Sequence, residues 1–383
     1  MNKSQYRRLG EFIEPTMEKN VGLKVHLSQG INNNKYFQTP RQVAQDSEND
    51  QIVRRGQFAF NKATTRNGEK ISIAYRDGED CTVSSAYQVF YIKDEEQLNP
   101  YYLMMWFKRP EFDRYARFKS HGSAHEFFTF EEMCNVLLPV PPISEQRRIV
   151  SEYQTVERRI ANNERLIKKL EETAQAIYHH TFVEGIDENN LPEGWRKGKL
   201  GEVAIIKGGK RLPSGAELID VPNGHPYIKV ADMTESLIVR STETFQYVED
   251  DVQENISRYI VNANDLILSI VGTIGRINIV DDSLEGANLT ENCYRLVSAN
   301  VPYLYAFLSS PAGKHAIKQG IVGGVQSKLP MYNVEAIDIV IPPNDIMLDF
   351  TDNFNHIINI VKIIERENHH LRTLLSLLTS KLS

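Results

Sequence analysis

Residues 149–178 read IVSEYQTVERRIANNERLIKKLEETAQAIY, and residues 350–379 read FTDNFNHIINIVKIIERENHHLRTLLSLLT. In the first stretch Ile149, Tyr153, Val156, Ile160, Asn163, Ile167, Leu170, Ala174 and Ile177 recur at alternating spacings of four and three, with charged residues between them. That spacing is the seam of a heptad helix. Adding 201 to each number gives Phe350, Phe354, Ile357, Val361, Ile364, Asn368, Leu371, Leu375 and Leu378, the same register without a gap. One amphipathic helix can lie on a globular body, whereas two matched helices are expected to pair. Asn163 and Asn368 occupy inward positions, where a buried amide costs stability but sets register and orientation. A helix from about Ser144 to Phe182 is expected to be ~57 Å long at 1.5 Å per residue, more than one small domain covers.

The same offset aligns Tyr102-Leu103 with Tyr303-Leu304, Phe107 with Leu308, Pro110 with Pro311, and Val140-Pro141-Pro142 with Ile341-Pro342-Pro343. Leu9-Gly10-Glu11 matches Leu200-Gly201-Glu202 at offset 191, so the chain is a duplication. It divides into globular segment 1–143, helix 144–184, globular segment 185–343 and helix 344–383. The linker from Glu184 to Pro192 is short and polar, and antiparallel pairing would set each globular segment beside its own helix start, with pseudo-twofold symmetry. The expected class is α+β: two mixed α/β domains joined by two long antiparallel coiled-coil helices. Strand-like runs at 71–75, 88–92, 266–270 and 276–280 alternate with Gly, Asn and Asp turns, and a helix is expected around 99–118 and again around 300–318.

Composition is that of an ordinary globular chain, with 41% hydrophobic and 25% charged residues among 383. The N-terminus lacks the apolar stretch of a secretion signal, and no run approaches the ~18 apolar residues of a membrane span, so the expected location is the cytoplasm without membrane contact. Cys81, Cys134 and Cys293 lack metal-ligand spacing and read as small core residues. Net charge is −6 and neither globular segment is broadly basic. A polyanionic partner would therefore need local basic patches, or a second, more basic subunit.

The stretch Leu137-Leu138-Pro139-Val140-Pro141-Pro142-Ile143-Ser144-Glu145-Gln146-Arg147-Arg148-Ile149-Val150 resembles the junction between a target-recognition domain and a spacer helix in type I restriction-modification specificity subunits. In the second half, Trp195, Leu200-Gly201-Glu202, Gly208-Gly209-Lys210-Arg211-Leu212-Pro213-Ser214, Pro226 to Asp232, Val271 to Arg276 and Gly324 to Leu329 follow that family's order. The second junction, Ile341-Pro342-Pro343-Asn344-Asp345-Ile346, lacks the Glu-Gln pair, and the first half lacks the Gly-Lys-x-Pro turn. The resemblance spans essentially the whole chain. It implies a non-catalytic subunit that reads double-stranded DNA and docks two methyltransferase subunits, with restriction subunits as further possible partners. S-adenosylmethionine and ATP are then expected only on those partners.

Reading bases requires Arg, Lys, Gln, Asn or Ser at groove edges, and cations aimed at phosphates. The second half offers Lys207, Lys210, Arg211, Lys229, Arg276, Gln326, Ser327 and Lys328. The first offers Arg114, Arg117, Lys119, Ser120, His121 and Ser123, with Lys35, Arg41, Lys62 and Arg66 as further candidates. Each of these also suits a solvated loop. Tyr36 and Phe37 could stack on bases, but core packing suits them better. Asn99-Pro100-Tyr101-Tyr102 is similar to an amino-methyltransferase motif but lacks its second proline and reads as structural. No phosphate loop or metal-nuclease spacing is found, and the neighbours His179-His180 and His369-His370 diverge on a helix and make poor metal sites. The alternative class is a coiled-coil adaptor that assembles partners without reading DNA.

Overall fold

The computed structural model describes residues 6–40, 47–63, 70–120, 127–187, 189–324 and 326–382. The helices run, in chain order, α1 (Pro100–Phe107), α2 (Pro110–Lys119), α3 (Phe130–Cys134), α4 (Ile143–Phe182), α5 (Leu200–Val203), α6 (Asp250–Ile256), α7 (Val301–Ser309), α8 (Pro311–Gly320), α9 (Met331–Glu335) and α10 (Asn344–Ser380). Contacts divide the chain into two compact units, Met1–Arg159 with Leu371–Ser383, and Ile160–His370. The division falls inside both long helices rather than at the segment boundaries expected from sequence.

In the first unit a four-stranded antiparallel sheet is ordered Ile13–Thr16, Tyr87–Ile92, Gln57–Asn61, Ile73–Tyr75. Phe58, Phe60 and Phe90 from this sheet meet Phe107 and Phe112 of α1 and α2 in one core. Val150 and Tyr153 of α4 and Leu382 complete that core, with Leu375 and Leu378 of α10 against it. The second unit holds a five-stranded sheet ordered Ile205–Gly208, Cys293–Val297, Leu266–Ser269, Ile277–Val280, Ile238–Val239. Its core joins α7 to α4 and α10: Phe182 lies 4.9 Å from Phe350 and 4.8 Å from Tyr303, ring to ring. Higher numbers on α4 meet lower numbers on α10, from Asn163 against Asn368 to Phe182 against Phe350, so the helices pair antiparallel there.

The sheet ends carry the duplication in backbone detail. Arg8 pairs with Leu137 and Lys199 with Asp338, and each strand turns into a Leu-Gly-Glu element whose glutamate returns to the preceding backbone amide, Glu11 to Arg8 and Glu202 to Lys199. The Tyr102 hydroxyl donates to the Pro139 carbonyl and the Tyr303 hydroxyl to that of Val340. A Cβ on Gly10 would lie 2.8 Å from Cys134 Cβ, so the first copy needs the small residue where α3 crosses, and one on Gly201 would be a tight 3.2 Å from Glu335 Cβ of α9.

Two expectations change. The single helix at 99–118 is α1 and α2, and that at 300–318 is α7 and α8, because Pro110 and Pro311 have no N–H to continue a helix and instead start new ones. The seam holds for Ile160, Asn163, Ile167 and Ala174, and for Phe350, Phe354, Ile357, Val361, Ile364 and Asn368, all buried. Ile149, Val156, Leu170, Leu371 and Leu378 are half-buried. Ile177 is also half-buried, while Tyr178 beside it is buried, because the end of α4 faces α7 as well as α10 and its buried face outgrows a heptad stripe.

Candidate nucleic-acid interface

In the second unit one short stretch, Leu289 to Cys293, organises the loops singled out by sequence. Gly209 N–H donates to the Cys293 carbonyl (3.1 Å) and Lys210 N–H to that of Leu289 (2.8 Å). A Cβ on Gly209 would sit 2.0 Å from the Thr290 carbonyl oxygen, so no other residue lets the turn lie this close. On the far side Ile270 N–H donates to the Asn292 carbonyl (2.9 Å) and Leu329 N–H to that of Ile270 (3.0 Å). Val322 and Lys328 exchange two backbone hydrogen bonds of 2.9 Å, and Val271 bridges to Lys328. The 208–213 turn and the strand end at Ile270 thus both hang from this segment, and the 322–328 loop is bonded in turn to Ile270 and Val271.

Lys207, Lys210, Arg211, Gln326 and Lys328 are exposed on or beside these loops. Lys210 Nζ lies 5.6 Å from the Tyr259 ring centroid. Arg211 pairs with Glu291 at 2.8 Å while its side chain stays 79% exposed. That exposure leaves the pair weak and its guanidinium available to a stronger anion. Ser327 Oγ donates to the Gly324 carbonyl at 3.3 Å.

Lys229 and Arg276 stand apart from this group. Lys229 Nζ donates to Gln246 Oε1 (2.7 Å), and Gln246 donates to Asp220. Arg276 donates to the Met233 carbonyl (3.1 Å) and reaches Glu235 at 3.3 Å. Both are half-buried and tether their own domain's loops.

In the first unit Lys35 is corrected as a candidate DNA contact. It is 4% exposed, sits at φ +66°, pairs with Asp113 at 2.8 Å and donates to the Phe107 carbonyl. Burial holds its ammonium below the usual lysine range even with Asp113 beside it. Ser120 is buried and spends its hydroxyl on the Ala116 carbonyl (2.7 Å), so it too leaves the candidate set. Arg114 and Arg117 are exposed on α2, Arg114 beside Glu111 at 3.3 Å, and Lys119 lies 3.9 Å from Glu132. Lys62 is half-exposed. Arg41, Arg66, His121 and Ser123 lie outside the described residues. Tyr36, read as core, is half-exposed, with Lys108 Nζ 4.9 Å from its ring.

The reading of single residues missed exposed Phe118 on α2 and exposed Lys314, His315 and Lys318 on α8, its repeat partner. It also missed what Gln146 does. This side chain is fully buried, accepts from Asn99 N–H (2.8 Å) and donates to the carbonyls of Gln97 (2.9 Å) and Pro141 (2.8 Å). It locks the start of α4 to the start of α1. Cys81 and Cys293 are buried in the cores, and burial pushes their thiols up to about 11 and about 12. No helix is long and apolar enough to cross a membrane among the described residues.

The specificity subunit of the type I restriction enzyme MjaVIII from Methanocaldococcus jannaschii is 22% identical over 254 residues, 62% of this chain and 59% of that protein. The MjaIX specificity subunit of the same organism is 20% identical over 268 residues, 65% of this chain and 60% of that one. The chain thus spans about 60% of the length of these curated relatives. The crystal structure of the S subunit of a type I restriction-modification system from M. genitalium shares the fold, with a TM-score of 0.57 at 14% identity over 100% of this chain and 97% of that one. The family model for the type I restriction modification DNA specificity domain matches residues 2–172 and 192–369, and the chain belongs to that family.

Proposed function

We propose that this chain is the DNA-reading subunit of a type I restriction-modification complex, without a catalytic centre of its own. Each globular domain reads one half-site of a bipartite target in double-stranded DNA, and the paired helices set the unspecified gap. The observation that carries this reading is the run of backbone bonds from the 208–213 turn through Leu289 to Cys293 to Ile270 and on to the 322–328 loop, which gathers exposed Lys207, Lys210, Arg211, Gln326 and Lys328 in one domain. That mixture of cations and amides suits phosphate contacts that position the protein and side-chain contacts to base edges that specify the sequence. Two methyltransferase subunits dock on the chain, and restriction subunits join where the system cuts. Ile360 and Ile363, exposed on α10, support docking along that helix. S-adenosylmethionine and ATP belong to those partners.

The test is genome-wide mapping of methylated adenine in cells expressing the chain with its neighbouring methyltransferase gene, against cells lacking the chain. A new split motif with a constant gap is expected, and lengthening both helices by one heptad should widen the gap by about three base pairs, since seven residues add ~10 Å. Methylation indifferent to the chain, with the methyltransferase active, would instead make it an adaptor.

A further inference from the structure

The chain has 50 Asp and Glu residues, yet none lies between Glu291 and Glu335. That interval contains α8 and the 322–328 loop. On α8, Gly313 and Ile317 face inward, while Lys314, His315, Lys318 and Gln319 are exposed. A Cβ on Gly275 would touch Ile317 at 3.4 Å, so α8 lies against the 271–275 loop, and its C-terminus runs directly into the 322–328 loop. The helix is therefore a wall of the loop cluster described above.

The lysines on this wall make no ion pair among the described residues. Lys314 and Lys318 are one turn apart on one face, an arrangement of like charges that weakens a helix by a few tenths of a kcal/mol. Lys314 shares a cavity of about 430 Å³ with Glu171, Glu172 and Glu235. No carboxylate among the described residues is within ion-pair distance of Lys314, Lys318 or Lys328. The repeat partner α2 is different: it carries Glu111 and Asp113, Arg114 lies beside Glu111, and Lys119 beside Glu132. The second copy thus presents exposed lysines without ion pairs in a chain of net charge −6, of which Lys314 also borders the cavity that Glu171, Glu172 and Glu235 line.

We propose that α8 and the loop after it form the phosphate-contacting face of the second domain, with Lys314, Lys318 and Lys328 each neutralising one backbone phosphate. Gln326, at the loop between Val322 and Lys328, is then carried to the base edges. This assignment rests on the DNA-reading function proposed above. Phosphate contacts release counterions, so each should add about 0.9 to the slope of log affinity against log salt, for matched and unmatched duplexes alike.

The experiment uses the chain assembled with its methyltransferase subunits, titrated against a duplex carrying the mapped motif and one lacking it, between 50 and 200 mM salt. The variant K314Q/K318Q/K328Q should lower the slope by about 2.7, so that its affinity falls roughly 40-fold less than the wild type's over that range. Its methylation motif should be unchanged, and the three Lys→Arg replacements should restore the slope. The single variant K318Q, at an exposed position, should lower the slope by about 0.9 and serves if the triple variant does not assemble. An unchanged slope, or a changed motif at an unchanged slope, overturns the assignment. A wild-type complex with no salt-dependent affinity for either duplex overturns the DNA-reading function itself.

Discussion

Replacing Gln146 by methionine tests how the junction between domain and helix is held. The duplicated copy already has methionine there, Met347, and it is buried. In the first copy the change would strand the Asn99 N–H and one lone pair each on the Gln97 and Pro141 carbonyls, the Pro141 bond being buried and the other two part-buried. At about 1 kcal/mol for each lost hydrogen bond, the expected cost is about 3 kcal/mol. The second copy avoids that cost because Asn300 N–H, the counterpart of Asn99 N–H, donates to Ser298 Oγ at 3.0 Å. Ser298 is the repeat partner of Gln97, which is exposed. The variant Q97S should therefore cost under about 0.5 kcal/mol alone, yet recover about 1 kcal/mol when combined with Q146M, a coupling readable in a double-mutant cycle. Because the chain has two units, a single unfolding signal would mix them. Its two tryptophans separate them, Trp106 in the first unit and Trp195 in the second, so a W195F background makes the urea-induced fluorescence change report the first unit. A Q146M chain within 0.5 kcal/mol of its parent, or no coupling to Q97S, would refute this account of the junction.

Other outcomes follow from the same contacts. N163L should cost about 2 kcal/mol by leaving Asn368 buried without its 2.9 Å partner, while N163L/N368L should recover most of that; urea unfolding followed by Trp195 fluorescence measures both. G209A should cost about 2–3 kcal/mol, because its Cβ would collide with the carbonyl oxygens of Leu289 and Thr290, and thermal unfolding of the second unit checks it. The Lys362 ammonium, 2.8 Å from Asp282, holds that carboxyl below its ordinary value. A depressed carboxyl contributes stability above its unfolded pKa of about 3.9 and loses it as pH falls through the folded value, so wild type should lose more stability than K362M as pH is lowered below about 4. Equal acid sensitivity in urea unfolding series would show that the pair contributes nothing.

Long-range periodicity made the helices, their pairing and the duplication legible, because a heptad seam repeated at a constant offset needs no knowledge of tertiary contacts. It failed at Ile177, where α7 adds a second packing partner that periodicity does not encode. The prolines that divide α1 from α2 and α7 from α8 are visible in the sequence, but the apolar run across each reads as one helix. Lys35 looked like a loop cation because its partner Asp113 is 78 residues away and the left-handed turn that buries it has no local signal beyond its asparagines. Gln146 was visible as part of a motif, but its role depends on Asn99 and Gln97, nearly fifty residues earlier. The lysines of α8 carry no signal one by one, because what distinguishes the segment is the acids it lacks.

The first unit takes Leu375, Leu378 and Leu382 into or against its core, and Leu382 is 1% exposed there. During synthesis these residues emerge more than two hundred positions after Arg159, a delay of roughly 10 to 40 seconds at ~5–20 residues per second. Throughout that interval the ribosome carries a nearly complete domain with an uncovered apolar seat, exposed to chaperones and proteases. A frameshift or stop codon anywhere in the second half would leave that seat empty, so a lesion far downstream would disable the domain encoded first.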